Sequence, residues 1–371
     1  MTLRALSGPE LDQLTEEQAR IVASFQAAGA LRVEPPALLP ASTLLDLYGE
    51  DIRARAFVTS DGHVEHMLRP DFTVPVVQQH MEVGAEPARY AYCGPVWRRQ
   101  NSGITTALEF TQAGFELFDG KDVAAADAEV FALIRNNVAN AGLSVATGDI
   151  GILLAAIDGL STTAARRNAL RRHAWRPARF HRLLVRFSTK GSTKGDLLDA
   201  ARGGQVEQLI ANAGTHVGLR SVDDIVTRID RLVEEDDTAP IPQSEIDLLA
   251  AILNLSGSCV EVLGSLRALA ANAPFLLDAS ERFAKRLAAL SAVGIDPADL
   301  PFEGSYGRTS MEYYDGFVFG FFAADRPDLP VIASGGRYDA LTRVLGGGRG
   351  IPAAGGIIRP QALLALKEGT C

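Results

Sequence analysis

The 371-residue sequence predicts an α+β protein in which an antiparallel sheet, flanked by helices, is interrupted by a helical insertion. Three observations carry that expectation. Runs with two-residue apolar alternation cluster before residue 120 and return after residue 300, as half-buried strands require. Between residues 152 and 298 the pattern is almost wholly helical. The length suits either two domains or one large core carrying an insertion. The pattern sets the first part of the core at 1–151, the insertion at 152–298 and the second part of the core at 299–371.

In chain order, TEEQARIVASFQAAG (15–29) reads as an amphipathic helix with Ile21, Val22 and Phe25 on one side, Thr15 as its cap and Gly29 at its end. LRVEPPALLPA breaks into an extended, proline-bent segment. In ARAFVTSDGHVEHMLR, Asp61-Gly62 between two alternating runs signals a hairpin. Asp71 stands just ahead of a helix at VPVVQQHM, where a cap is its default role. RYAYCGPVWRR and ALEFTQAGFELF follow as strands around a polar loop from Asn101 to Thr106, and a helix runs from Asp122 to about Ala141. The insertion contains TTAARRNALRRHA, GQVEQLIANAG, SEIDLLAAIL and SERFAKRLAALSAVG as helices, with EEDDTAPIP as a solvated linker. Strand character resumes in FEGSYGRTSMEYYDGFVFGFF and PVIASGG. SGGRYDAL is a strand-to-helix turn, and a turn at LGGGRG leads into a last short helix.

Composition narrows the function classes. With 47% hydrophobic and 22% charged residues the chain is an ordinary globular protein, and 36 Lys plus Arg against 45 Asp plus Glu, a net charge of −9, disfavours a surface built for a long polyanion. Cys93, Cys259 and Cys371 are odd in number and far apart, which fits neither a disulfide framework nor a metal site and suits a reducing cytoplasm. The N-terminus carries Arg4, Glu10 and Asp12, and no uncharged apolar run reaches the ~18 residues of a membrane span, so neither secretion nor membrane insertion is expected. His63, Glu65 and His66 are a poor metal set, because strand positions 63 and 66 face opposite ways. Neither turn at Gly335 to Asp339 nor Gly346 to Gly348 has the G-K-[ST] ending of a phosphate-cradling loop. The arginines from Arg166 to Arg186, interleaved with Trp175, Phe180 and Phe187, fit a solvated face or an acidic partner better than RNA in so acidic a chain.

Two strands hold candidate site residues. In EFTQAGFELF, Phe110, Gln112, Gly114 and Glu116 share a face, and an amide and a carboxylate so placed can hold an ammonium; an edge strand meeting water gives the same pattern. In MEYYDGFVFGFF, alternation puts Met311, Tyr313, Phe317, Phe319 and Phe321 on a core face and Glu312, Tyr314, Gly316, Val318 and Gly320 on the other, compatible with a ligand floor or with a bulge.

Four of these segments, in order, resemble the class II aminoacyl-tRNA synthetase core, and specifically the histidyl-tRNA synthetase branch. LRPDFT resembles L-R-P-E-[GS]-T; GPVWRRQ through EFTQAGFE resembles motif 2, G-P-x-F-R-x-E through Q-F-x-Q-x-G-x-E; SMEYYDG resembles G-L-D-Y-Y-x; and SGGRYDAL resembles A-G-G-R-Y-D-G-L. The resemblance implies a class II synthetase-like sheet and a histidine pocket formed by Asp71, Thr73, Gln112, Glu116, Tyr314 and Tyr338, with Arg98 kept from motif 2. The nucleotide side departs from that family. Gln100 replaces a glutamate, Thr106, Leu108 and Thr309 stand where arginines are expected, and motif 3 reads Arg359-Pro360-Gln361-Ala362, with alanine for its arginine and Pro360 opening the helix. The nine residues after Ala362 leave no room for an anticodon-binding domain. A synthetase-like core of this kind resembles the regulatory subunits of ATP phosphoribosyltransferase. That implies a non-catalytic protein with no cofactor or metal, which binds L-histidine and joins the short catalytic subunit in a hetero-oligomer, commonly an octamer. It also implies a homodimer through a motif 1-like segment around Leu31 to Leu45. The rival reading is a degenerate ligase that activates histidine or a related amino acid, kept open by Arg98, Arg337 and Arg308.

Overall fold

The computed structural model describes residues 6–48, 56–99, 108–189, 195–214, 221–308 and 313–368. The chain forms two compact units, residues 1–155 with 252–371, and residues 156–251.

The first unit begins with α1 (Pro9–Ala27), whose buried Leu14, Ile21, Val22 and Phe25 recur at helical spacing. The helix starts six residues before Thr15, because Pro9 sits at its first position, where a missing N–H costs nothing. The Thr15 hydroxyl, expected as the cap, instead donates to the Leu11 carbonyl at 2.9 Å. After Gly29, at φ 86, come β1 (Leu31–Arg32), β2 (Leu38–Pro40) and α2 (Ala41–Tyr48). β3 (Val58–Ser60) and β4 (Glu65–Leu68) form the expected hairpin, in register Ser60 to Glu65. Asp61 Oδ1 accepts from the amides of His63 and Val64, and Gly62 takes φ 91. The hairpin joins β2 in a separate three-stranded sheet, ordered β2-β4-β3, over a small core of Leu39, Leu44, Met67 and Val74.

The main sheet is built from β5 (Ala88–Trp97), β6 (Glu109–Phe118), β7 (Ser144–Asp149), β8 (Ser256–Ser258), β9 (Pro301–Glu303), β10 (Phe317–Phe322), β11 (Ala333–Arg337) and β12 (Ala353–Ile358), together with β1. Its order is β1-β5-β6-β12-β11-β10-β7-β9-β8. The run from β5 to β7 is antiparallel throughout, whereas β1 against β5 and β7 against β9 are parallel. One face packs on α1 and on α4 (Val123–Val138), which Asp122 caps by accepting from the Ala125 amide. Phe115 meets Phe25 with ring centroids 5.7 Å apart, and Phe131 contacts Phe317, Phe319 and Phe321, the core face read from alternation. The other face of β6 carries Gln112 and Glu116 inward, next to α3 (Thr73–Val83). β6 lies between β5 and β12, so the edge-strand reading of EFTQAGFELF does not hold.

The boundaries differ from those read in the sequence. Residues 252–298 belong to the first unit. β8 pairs with β9 at the sheet edge, and α13 (Leu277–Ala292), following α12 (Cys259–Asn272), packs on α4. Arg286 on α13 reaches two buried carboxylates there, Asp149, and Asp127 at 3.4 Å. Helical periodicity shows which face of a helix is apolar but not which core that face joins, which is why the insertion reads too long. The unit is completed by α14 (Asp339–Leu345) and α15 (Pro360–Glu368), the latter opened by Pro360 as expected.

The second unit lies between α5 (Ile150–Asp158) and α11 (Gln243–Leu253), which span its two boundaries. It holds α6 (Ala164–Arg172), α7 (Pro177–Ser188), α8 (Gly195–Arg202), α9 (Val206–Asn212) and α10 (Val222–Asp237) around Leu170, Phe180, Leu184, Phe187 and Ile229. Its arginines are partly structural. Buried Arg166 pairs with Glu235 at 3.1 Å and donates to the carbonyls of Ala239 and Glu235. Arg202 holds Asp236 at 2.7 Å and Asp237 at 2.6 Å. The acidic half of EEDDTAPIP is therefore the last turn of α10 rather than a loop, its charges offset by arginines distant in sequence.

Candidate functional site

The site lies on the polar face of the main sheet, and its chemistry starts from the turn into α3. Arg69 is buried and locks that turn: it donates to the carbonyls of Pro95, at 3.0 Å, and Pro35, pairs with Glu34, and lies 3.8 Å over the Phe72 ring. Phe72 in turn stacks on Tyr92 at 4.4 Å. Asp71 is thereby fixed with one oxygen, Oδ1, accepting from the Val74 amide at 3.2 Å. Asp71 stands one residue before the cap position, Phe72, and holds this first-turn amide with only half of its carboxylate. Oδ2 is buried with no hydrogen-bond partner.

Glu116 is the acceptor at the centre of a hydroxyl cage. Oε1 accepts from Thr73 and Tyr92, each at 2.8 Å, and Oε2 accepts from Tyr338 at 2.5 Å. Burial pushes its pKa up to about 7, against the lowering effect of the three hydroxyls. Burial likewise raises Asp71, with the nearby charge of Arg98 pulling the other way. Glycines make room for the cage. A Cβ at Gly355 would collide with Glu116 Oε2, and one at Gly114 would collide with the Tyr92 ring, which faces it across the β5–β6 ladder.

A cavity of about 230 Å³ opens beside this cage. Asp71, Thr73, Arg98, Gln112 and Tyr314 line it, as do Tyr306, Tyr313 and Arg359. Gln112 Oε1, like Asp71 Oδ2, is buried without a partner. Glu116 and Tyr338 do not line the cavity; Glu116 stands one hydrogen bond away from it, through Thr73, and Tyr338 stands behind Glu116. Arg98 is anchored by its Nε on the Pro70 carbonyl at 2.6 Å. The arrangement can hold a cationic donor at Asp71 and Gln112, each charge-assisted bond being worth roughly 1.5 to 3 kcal/mol.

Five of the seven expected residues thus line one cavity and Glu116 and Tyr338 stand behind it, but not by the expected strand geometry. Tyr313 and Tyr314 precede β10, and both face the cavity, so alternation fails there; Met311 and Glu312, like Gln100, Thr106 and Thr309, lie outside the described residues. Gly316 and Gly320 give space to neighbouring side chains, Arg337 and the Tyr306 hydroxyl, rather than forming a ligand floor. Arg337 itself is buried among Asp127, at 2.8 Å, and Asp339, at 2.9 Å. Four contributors were missed. Tyr92 has a legible signal, its cross-strand glycine, and Arg359 stands three residues before Ala362, in the same motif 3 segment. Tyr306 carries no periodic signal, and alternation assigned Tyr313 to the core face. Among the described residues no group of His, Cys, Asp and Glu could hold a metal ion.

A class II synthetase-like sheet carrying an amino-acid-sized cavity with a few polar groups in its wall is the kind of protein that the fold and site define, and the comparisons agree on the fold. The histidyl-tRNA synthetase family model matches residues 3–232 and 182–363. Among solved structures, an ATP phosphoribosyltransferase regulatory subunit/histidyl-tRNA synthetase from Bacillus halodurans is similar in fold, with a TM-score of 0.66, 21% identity and coverage of 98% of this chain and 81% of that one. A histidine–tRNA ligase subunit from Alicyclobacillus acidocaldarius gives a TM-score of 0.61 at 21% identity, covering 99% and 96%. Curated relatives named ATP phosphoribosyltransferase regulatory subunit are 32% identical: that of Sinorhizobium medicae over 356 residues, 90% of this chain and 93% of the relative, and that of Brucella canis over 368 residues, 93% and 96%. The chain belongs to the family of ATP phosphoribosyltransferase regulatory subunits.

Proposed function

We propose that the chain is a non-catalytic subunit that joins a short ATP phosphoribosyltransferase catalytic subunit, is needed for its activity, and brings L-histidine feedback to the first step of histidine biosynthesis. The observation that carries this reading is a cavity with two unpartnered acceptors, Asp71 Oδ2 and Gln112 Oε1, beside a helix whose motif 3 position is the buried, uncharged Ala362. Such a cavity is suited to bind an amino acid and unsuited to activate it. A protein that binds a ligand without transforming it acts on chemistry through differential affinity for active and inactive assemblies of another polypeptide. The names of the relatives support the partner. Histidine's ammonium is assigned to Asp71 and Gln112, with Glu116 supporting through Thr73, and its imidazole to the tyrosine hydroxyl of Tyr314. Tyr338 holds Glu116 in place.

The ligase alternative loses support from Arg337 and Arg308, since the first is consumed by Asp127 and Asp339 and both are buried. We place the homodimer interface at the segment around Leu31 to Leu45, where Leu31 is 63% and Leu38 49% exposed. A hetero-octamer and a cytoplasmic location complete the proposal; among the described residues no helix is long and apolar enough to cross a membrane. Mixing the purified chain with a short catalytic subunit is expected to give co-elution, a higher rate and histidine inhibition. Neither co-elution nor a change in rate, with and without histidine, would overturn the assignment. Histidine-driven pyrophosphate exchange would restore the ligase.

A further inference from the structure

We propose that Arg359, acting with Arg98, grips the carboxylate of a free amino acid in this cavity and so selects the zwitterion over amines and esters. The inference rests on the amino-acid reading above and adds a residue to it. Arg359 sits at the junction of β12 and α15, its backbone amide bonded to the Ile332 carbonyl at 2.8 Å, so the base of its side chain is fixed by the sheet. Its Nη1 donates to the Val331 carbonyl, which leaves donors of the fork for the cavity that it lines. Its guanidinium lies 5.6 Å from the Phe110 ring centre, and that of Arg98 lies 5.9 Å from the same ring.

Two like charges are therefore drawn to one ring. Among the described residues neither guanidinium forms an ion pair with a carboxylate; Asp71 feels the charge of Arg98 without pairing with it. Burial and the charge of Arg98 push the pKa of Arg359 down to about 10, the mark of a cation held without its counter-ion. An anion between the two relieves that repulsion and matches the planar fork, which binds carboxylates in two places at once.

The rest of the lining says which anion. Asp71 Oδ2 and Gln112 Oε1 are acceptors without donors in the same cavity. They repel the oxygens of a phosphate but receive an ammonium. A ligand that satisfies both ends carries one positive and one negative group, which is the description of an α-amino acid. The cavity volume of about 230 Å³ admits one such molecule rather than a nucleotide.

Calorimetry on the full chain, alone and with its catalytic partner, tests this with L-histidine, L-histidine methyl ester, histamine and inorganic phosphate. Arg359→Gln is expected to weaken L-histidine about 10- to 100-fold, the range for a charge-assisted pair, while leaving the weaker ester and histamine unchanged; Arg359→Lys restores part of the loss. Unfolding temperatures of the variants verify that they fold. Equal losses for histidine and ester, or no loss for either, overturn the inference, as does Arg359-dependent binding of phosphate in place of an amino acid. If the wild-type chain ignores histidine but binds another member of a panel of L-amino acids through Arg359, the histidine assignment falls and the carboxylate grip stands. If no free amino acid binds, both fall.

Discussion

Replacing Glu116 by glutamine tests the electrostatic core of the site without emptying it. The amide keeps the volume and still offers an oxygen to Thr73 and Tyr92, while its NH2 can donate to the Tyr338 oxygen, so the cage survives and only the charge goes. In the folded chain burial raises the Glu116 pKa to about 7 from 4.5. A carboxyl whose folded pKa is raised binds its proton more tightly in the native state, so its contribution is full at low pH. It is lost as pH climbs from the unfolded value through the folded one. Between pH 5 and pH 8 the wild type is expected to lose about 2 to 3 kcal/mol relative to Glu116→Gln. At the usual entropy of unfolding per residue, a chain of 371 residues converts that to roughly 3 to 4 °C in unfolding temperature. The assay is the difference between the unfolding temperatures of the two proteins at half-unit pH steps. The difference removes other groups that titrate in the same window, such as Asp315, which burial and Asp339 also push up to about 7. Parallel curves for wild type and variant would refute the claim that Glu116 ionises against its surroundings.

Three further outcomes follow from the same geometry. His80 is buried, stacked 3.9 Å from Phe118, with Nδ1 3.1 Å from the Tyr90 hydroxyl and Nε2 unpartnered. Burial first, then the charge of Arg349, lowers its pKa. The native state thus resists protonation, stability falls as pH drops below about 6.5, and His80→Leu is expected to flatten that acid limb in a thermal-shift series. Arg286→Met removes the partner of Asp127 and Asp149, both buried, and should destabilise the first unit by roughly 3 to 5 kcal/mol in urea unfolding, as breaking a buried ion cluster does. Gly355→Ala places a methyl group where Glu116 Oε2 lies, and should cost about 1 to 3 kcal/mol and abolish ligand binding measured by calorimetry.

The fold was legible in the sequence wherever one periodicity persisted through an element. β5 and β6, the Asp61-Gly62 hairpin, α4 and the Phe317–Phe319–Phe321 face all follow from spacing and turn chemistry alone. What spacing does not encode is which partner an element finds. α13 has the pattern of any amphipathic helix, and it belongs to the sheet because Arg286 meets Asp127 and Asp149 across long stretches of chain. The same limit explains α10, whose acidic end looks like a solvated loop until Arg166 and Arg202 are seen to hold it.

The site divides along the same line. The resemblance named residues that do meet around one cavity, yet it did not show how they differ there. Asp71 and Glu116 are both buried carboxylates and are equivalent in a motif, but one has three hydroxyl donors and the other keeps an oxygen with none. An acceptor already supplied with donors gains little from a ligand's ammonium, whereas an orphaned one has a desolvation cost of about 1 to 3 kcal/mol that a ligand recovers on binding. In the proposed reading the first contact for a cation is therefore Asp71 with Gln112, and Glu116 stands behind them as a support. Arg359 completes the pattern from the opposite sign. The motif 3 pattern has no arginine at its position, and its place in the cavity comes from the short passage between β12, an interior strand, and α15, which sets its guanidinium 5.6 Å from the Phe110 ring centre.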